Sequence, residues 1–188
     1  MLNVIMENPS SRSALAFLPE FYHRYIEEVE EESLLPALTK SLEHWVSLDL
    51  ALLHTLADSR YLPDKWSVKE VLQHIIDTER IMAYRALRFA RMDKTELPGF
   101  DEDEYALHCG VSDRKVQKLH EEFILLRKSN ILLFASFSAA QLQATGVCSN
   151  RKVSVLALGF VLVGHQEHHL RILEERYYPL ATGSPSNF

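Results

Sequence analysis

Apolar residues recur at intervals of three and four along most of this chain, and that period restricts it to packed helices. Leu34, Leu38, Leu42, Trp45, Leu48, Leu52 and Leu56 form one such stripe, because positions three and four apart share a face of an α-helix. The spacing predicts a first long helix from about Ser33 to Ala57. Pro36 falls in its opening turn, where a missing N–H costs little. Ser67 and Glu70 form a capping-box pattern ahead of an apolar run. A second helix then extends to about Met92 and buries Val71, Leu72, Ile75, Ile81 or Met82, and Phe89. Ser112 is placed to cap a third helix ending near Phe137, with Val116, Leu119, Phe123, Leu126 and Leu133 inside. A fourth spans about Val153 to Tyr177 and is stopped by Pro179.

The connections complete the expected topology. Asp58 to Trp66 is a short link between the first two helices. Lys94 to Val111 is much longer, carries Pro98, Gly99 and the acidic run Asp101 to Glu104, and lets helices two and three run parallel. Ser138 with Gln141 marks a brief helical turn, and Thr145 to Lys152 reads as irregular. A further short helix is expected over Pro19 to Val29, with Phe21, Tyr25 and Val29 on one face. The fold class is therefore all-α, a four-helix bundle with a long crossover between helices 2 and 3. Residues 1–18 are expected to form an arm that is loose or laid over the body, 19–178 the bundle domain, and 179–188 a disordered tail.

Composition narrows the class of partner. A chain of 188 residues with 47% hydrophobic content can bury one sizeable core. Its formal net charge of −6 makes nucleic acid a poor partner, since phosphate binding needs positive charge. The greasiest run, Val153 to Val163, is about half of the ~20 residues a membrane span requires. The N-terminal residues lack the basic and unbroken apolar regions of a signal peptide. Cys109 and Cys148 have no metal-type spacing, and usage this sparse fits a reducing compartment. A cytoplasmic protein without a membrane segment is expected.

Within the fourth helix, His165 and His169 stand four residues apart on the stripe of Leu158, Leu162, Ile172 and Leu173. Both imidazoles can therefore aim at one point inside the bundle. His74 lies beside Val71, Ile75 and Thr78 on the second helix, which makes it a candidate third ligand from a facing helix. His168 is rotated by about 100° from His169 and is the weaker candidate. A hydrogen-bonded structural role remains an alternative for core-edge histidines. Glu167 stands two positions after His165 rather than one, so this is not the zinc-protease pattern, and no Glu-x-x-His pair of the di-iron type occurs. His23, His44, His54, His108 and His120 read as surface or structural.

The run from Lys65 to Arg80 (KWSVKEVLQHIIDTER) resembles the second-helix signature of the DinB/YfiT-like metalloenzymes. Ala83 to Arg91 and then Leu97 to Asp103 look like its continuation, and Gly164 to Leu170 (GHQEHHL) is similar to the family's fourth-helix motif. The resemblance covers about residues 19–178 and implies a four-helix bundle with a three-histidine site for zinc, nickel or a similar divalent ion. Carried over by motif, the ligands are His74, His165 and His169. Gln73, where a small residue is expected, and the stretch from Thr145 to Arg151 depart from the pattern. Members of the wider superfamily include thiol S-transferases and metal-dependent hydrolases.

Three neutral imidazoles leave a divalent ion its full charge and an open position, where it favours deprotonated water or thiol. Asp77 and Thr78 are candidates to orient a reactant there. Arg80, Tyr84, Arg88 and Arg91 form one stripe, expected to pair with Asp101 to Glu104 or else to hold a substrate carboxylate or phosphate. Neither cysteine shows an activating context. The expected function is transfer of a low-molecular-weight thiol to an electrophile in stress or detoxification. A metal-dependent hydrolase and a non-catalytic, dimeric metal-binding stress protein are the alternatives.

Overall fold

The computed structural model describes residues 8–182. Helices dominate it, as the period requires: α1 (His23–Glu27), α2 (Leu34–Val46), α3 (Leu50–Thr55), α4 (Val68–Ala90), α5 (Glu102–His108), α6 (Val116–Ala135) and α7 (Ala139–Gln143). A hairpin of β1 (Thr145–Cys148) and β2 (Arg151–Ser154) then leads into α8 (Val155–Ile172) and α9 (Tyr178–Thr182). The four bundle helices are α2, α4, α6 and α8. Each of α4 and α2 packs against both α6 and α8.

Pair contacts give the helix directions. Lys69 of α4 reaches Ser112 just before α6, and Glu79 meets Arg127 and Asn130 further along, so α4 and α6 are parallel. Leu34 abuts Gly159, and the Ser41 carbonyl accepts from Gln166 Nε2, so α2 and α8 are also parallel. His74 meets His165, whereas Trp45 meets the His120 carbonyl near the opposite end of α6, which makes the two pairs mutually antiparallel. The crossover between α4 and α6, with α5 inside it, produces the parallel pair as expected.

Sequence expectations of the helix boundaries and connections differ from the structure at four places. The predicted helix over 33–57 is two helices: α2 ends at Val46, and Asp49 caps α3 by accepting the N–H groups of Ala51 and Leu52. The turn rotates the chain, so Leu53 and Leu56 are buried while Leu48 and Leu52 are half-buried. Ser112 does not cap α6, which begins at Val116; its carbonyl instead accepts from the Lys69 ammonium at 2.7 Å. The stretch expected to be irregular is the β-hairpin, closed by Ser149 and Asn150 at φ 52° and 59°, the pair of left-handed residues that a type I′ turn requires. Finally, Pro179 does not stop the last helix. The chain passes through a wide π-helical turn, Leu173–Tyr177, directly into α9, which contains Pro179.

The described part of the arm lies over the body. Ser11 bridges Ser33, and Arg12 takes the Glu32 carbonyl. In the short helical segment Tyr22, Tyr25, Ile26 and Val29 are buried, whereas Phe21, expected on the inner face, is exposed. Residues 183–188 of the expected tail, like residues 1–7 of the arm, lie outside the described residues.

The core divides into two apolar clusters. One gathers Met82, Phe89, Leu158, Val161 and Phe134, the other Leu72, Ile75, Trp45, Phe123 and Leu173. Between them runs a polar layer. Arg127, fully buried, donates to both carboxylate oxygens of Glu79 at 2.8 and 2.9 Å, to Ser41 Oγ and to the Leu162 carbonyl. Asn130 also donates to Glu79. The three histidines occupy the other side of this layer, between α4 and α8.

Candidate metal centre

The reciprocal cap at Ser67 and Glu70 sets the start of α4 and so its rotation, which turns His74 toward α8. On α8, Gly164 lets the helix approach the chain of α1: a Cβ there would lie 1.8 Å from the Tyr25 carbonyl oxygen. This contact seats Tyr25 edge-on to His165 at 5.4 Å, while Trp66 tilts over His74 at 4.7 Å. The aromatic walls bury the imidazoles.

His74, His165 and His169 converge. Their ring centroids lie 4.5 to 4.8 Å apart, and His74 Nε2 is 3.0 Å from His165 Nε2. One nitrogen from each ring can be chosen so that all lie within 4.8 Å of one another. Burial disfavours the imidazolium form and pushes His74 down to about 4, with Asp103 opposing weakly. His165 and His169 are held well below the usual histidine range, first by burial and then by the neighbouring rings. Near neutral pH all three rings are thus uncharged and have lone pairs to offer.

The donor set fits a zinc-like ion. Two nitrogens bound to one ion at ~2.05 Å in tetrahedral geometry stand about 3.3 Å apart, close to the 3.0 Å found for His74 and His165, while the whole set spans up to 4.8 Å and would close further around an ion. His168, demoted by its rotation, stands outside the trio. It packs edge-on to Tyr25 and accepts from Arg171 at 3.2 Å.

A cavity of about 330 Å³ opens beside the rings, bounded by Tyr25, Thr78, Met82, Arg85 and Phe100 among others. A second, broader one of about 680 Å³, lined by Tyr61, Tyr177 and Lys65, also has His169 and Trp66 in its wall. Thr78 is buried, and its hydroxyl has no hydrogen-bond partner within the protein. Asp77, named with Thr78 as a candidate, turns away. It accepts from Gln73 at 2.8 Å and faces Arg80, on the side of α4 that meets α6. Gln73, the departure noted in the motif, also accepts from Arg114.

This arrangement agrees with the DinB superfamily profile, which matches residues 33–173 and so encloses all three histidines. The chain belongs to the DinB superfamily. Among solved structures it is similar to YfiT from Bacillus subtilis, described as a probable metal-dependent hydrolase with an unusual four-helix bundle topology. The two are 16% identical, with 95% of this chain and 99% of that one covered at a TM-score of 0.60. No curated protein matches the chain. Among the described residues, no helix of this DinB-superfamily protein is long and apolar enough to cross a membrane.

The arginine stripe of α4 does not pair with Asp101 to Glu104. Arg80 binds Glu122, Arg88 binds Asp93 and Tyr84, and Arg91 lies over Phe137. Arg85, missed from the sequence, is the one that reaches the crossover, donating to the Pro98 carbonyl at 2.8 Å. The signal was available: eleven residues at ~100° each bring Arg85 within about 20° of His74, whereas Arg80 lies on another face. Burial raises the thiols of Cys109 and Cys148, consistent with their lacking an activating context.

Proposed function

We propose that the protein is a metal-dependent enzyme in which His74, His165 and His169 hold a divalent ion, zinc or nickel, at the inner end of the 330 Å³ cavity. The observation that carries this is the convergence on one point of three uncharged imidazoles, two buried and that of His169 half-buried. A divalent ion bound there supplies a Lewis acid that makes water or a thiol nucleophilic near neutral pH. The chain's own residues do the rest. Trp66 and Tyr25 fix the ring orientations and exclude bulk water. Thr78, one turn after His74 with an unpartnered hydroxyl, orients the reactant by a hydrogen bond.

Hydrolysis of a small molecule is the reading preferred, and the description of YfiT supports it. Thiol transfer is the second reading. It is favoured by the two cavities sharing His169 and Trp66 in their walls, which would give a thiol and an electrophile separate places beside the histidines. Metal analysis of the purified protein tests the common premise: stoichiometric divalent metal should disappear in His165→Ala, and unchanged content would overturn the site. Ester or amide turnover by the loaded protein supports hydrolysis. Metal-dependent conjugation of a model electrophile with bacillithiol, mycothiol, glutathione or coenzyme A supports transfer.

A further inference from the structure

The fold contains two deeply buried arginines and treats them differently. Arg127 faces a carboxylate, Glu79, to which it donates through both Nε and Nη2. Arg85, only 3% exposed, faces none. Its Nη2 donates to the Pro98 carbonyl at 2.8 Å and to Ser149 Oγ at 3.2 Å, and its Nη1 meets only the Met82 sulfur at 3.5 Å. The acceptors that fix it are neutral, and of its five N–H donors some remain for a ligand. The nearby Tyr22 hydroxyl, pushed up to about 12 by burial, and the Cys148 thiol, also pushed up, stay protonated and cannot neutralise it.

A desolvated guanidinium without a counter-charge is costly to a fold, yet this one lines the cavity beside the histidines. Two more arginines stand at the rim. Arg151 lies 4.1 Å over the Phe21 ring, and Arg24 lies 4.6 Å over the Tyr25 ring and donates to its hydroxyl. Neither is within ion-pair distance of a carboxylate among the described residues; Glu102 is the acidic residue lining the same cavity. The cavity is therefore cationic at the end lined by Arg85 and Arg151, while Arg24 stands with Tyr25 beside His165 at the end lined by neutral imidazoles.

We propose that Arg85, with Arg151 at the rim, forms an anion subsite that takes a carboxylate or phosphate group of a small substrate. A planar guanidinium matches either oxyanion through paired N–H donors. The proposal rests on the cavity being the substrate pocket of the histidine centre, and it adds the substrate class. Arg85 is three turns of α4 beyond His74, about 16 Å by helical rise, and helical side chains lean back toward the N-terminus. The substrate is thus elongated, with its anionic end at Arg85 and its reacting group at the histidines. The crossover and hairpin hold the subsite together. Leu97 exchanges backbone hydrogen bonds with Val147 and Ser149 at 3.0 Å each, which brings Pro98 and Ser149 to the same guanidinium.

Binding, not turnover, tests this. Titration calorimetry on the metal-loaded protein would compare 3-phenylpropionate with its neutral amide, and phenyl phosphate with phenol. The anions should bind at least tenfold more tightly than their neutral partners, and the stronger pair identifies the oxyanion. Arg85→Gln should reduce that preference to less than threefold without changing metal content, and Arg85→Lys should restore part of it. Arg151→Gln, at the surface, supplies a variant with little risk to folding and should lower anion affinity severalfold. The same titrations on His165→Ala separate the two proposals: preference kept there and lost in Arg85→Gln supports the subsite, even if no metal is found. Preference lost in His165→Ala and kept in Arg85→Gln places the anion at the histidines and overturns it. Equal affinity for anions and neutral partners in the wild-type protein also overturns it.

Discussion

Acid should loosen the metal-free protein through its histidine layer before the stabilised carboxylates are involved. An imidazole titrates near 6.5 in the unfolded chain, whereas burial holds His74 at about 4 in the folded one. Above pH 6.5 both states are neutral and the contribution is constant. As pH falls through that window the unfolded chain takes up a proton that the folded protein does not. Stability is therefore lost between about 6.5 and about 4, and levels off below the folded value. A displacement of about 2.5 units corresponds to about 3 kcal/mol for His74 alone, a residue 7% exposed. His165 and His169 are displaced in the same direction and steepen the loss.

Carboxylates can be separated from this effect. Glu32 and Asp93, each lowered to about 2 by hydrogen bonds, lose their stabilisation only as pH falls below the usual carboxylate range. Asp77 and Glu167, raised by burial, act in the opposite sense at the acid end of the window. The measurement is therefore a comparison: thermal melts of wild type and His74→Gln in chelator, from about pH 8 to about 4.5. About 2.5 kcal/mol of this is lost by pH 4.5, so at 2–4 °C per kcal/mol for a chain of this size the His74 share is a fall in Tm of about 5–10 °C. The His74→Gln variant should show a correspondingly shallower slope. A wild-type Tm that is flat over this range, or identical slopes for the two proteins, would refute the reasoning.

Two further substitutions probe the frame around the site. Arg127→Met leaves the Glu79 carboxylate buried without its cation and should cost about 3–5 kcal/mol. Replacing Glu79 by Met as well should recover most of that loss in a melt; a double variant no more stable than the single one contradicts the account. Gly164→Ala pushes a methyl group against the Tyr25 carbonyl and should cost about 1–3 kcal/mol. Its signature is faster hydrogen exchange in α1 with little change in α6; unchanged exchange in α1 would contradict the close approach inferred there.

Local signals carried much of this in the sequence. Ser67 with Glu70 marked the start of α4 to the residue, because a capping box is a contact within one turn. The four-residue spacing of His165 and His169 placed both on one face for the same reason. Where a local choice was decided by distant packing, the reading diverged. Leu48 and Leu52 fit the stripe of a single helix, yet Asp49 caps a second one because the turn lets Leu53 and Leu56 reach the core. Thr145 to Ser154 is too short to declare itself as strands. It folds as a hairpin because Gly146 fits against the Phe89 ring and Leu97 pairs with its edge.

The sequence by itself determined which segments are helical, which face of each is apolar and which histidines lie inward, since these follow from a period of 3.6 residues and from capping chemistry. Only the tertiary structure decided what meets what across the layer between the two apolar clusters. Glu79 finds Arg127 from 48 residues away, His74 finds His165 from 91 away, and Arg85 lines a cavity with no carboxylate paired to it. Charge pairing acts over a few ångströms of space, and separation along the chain does not report that distance until the helices have packed.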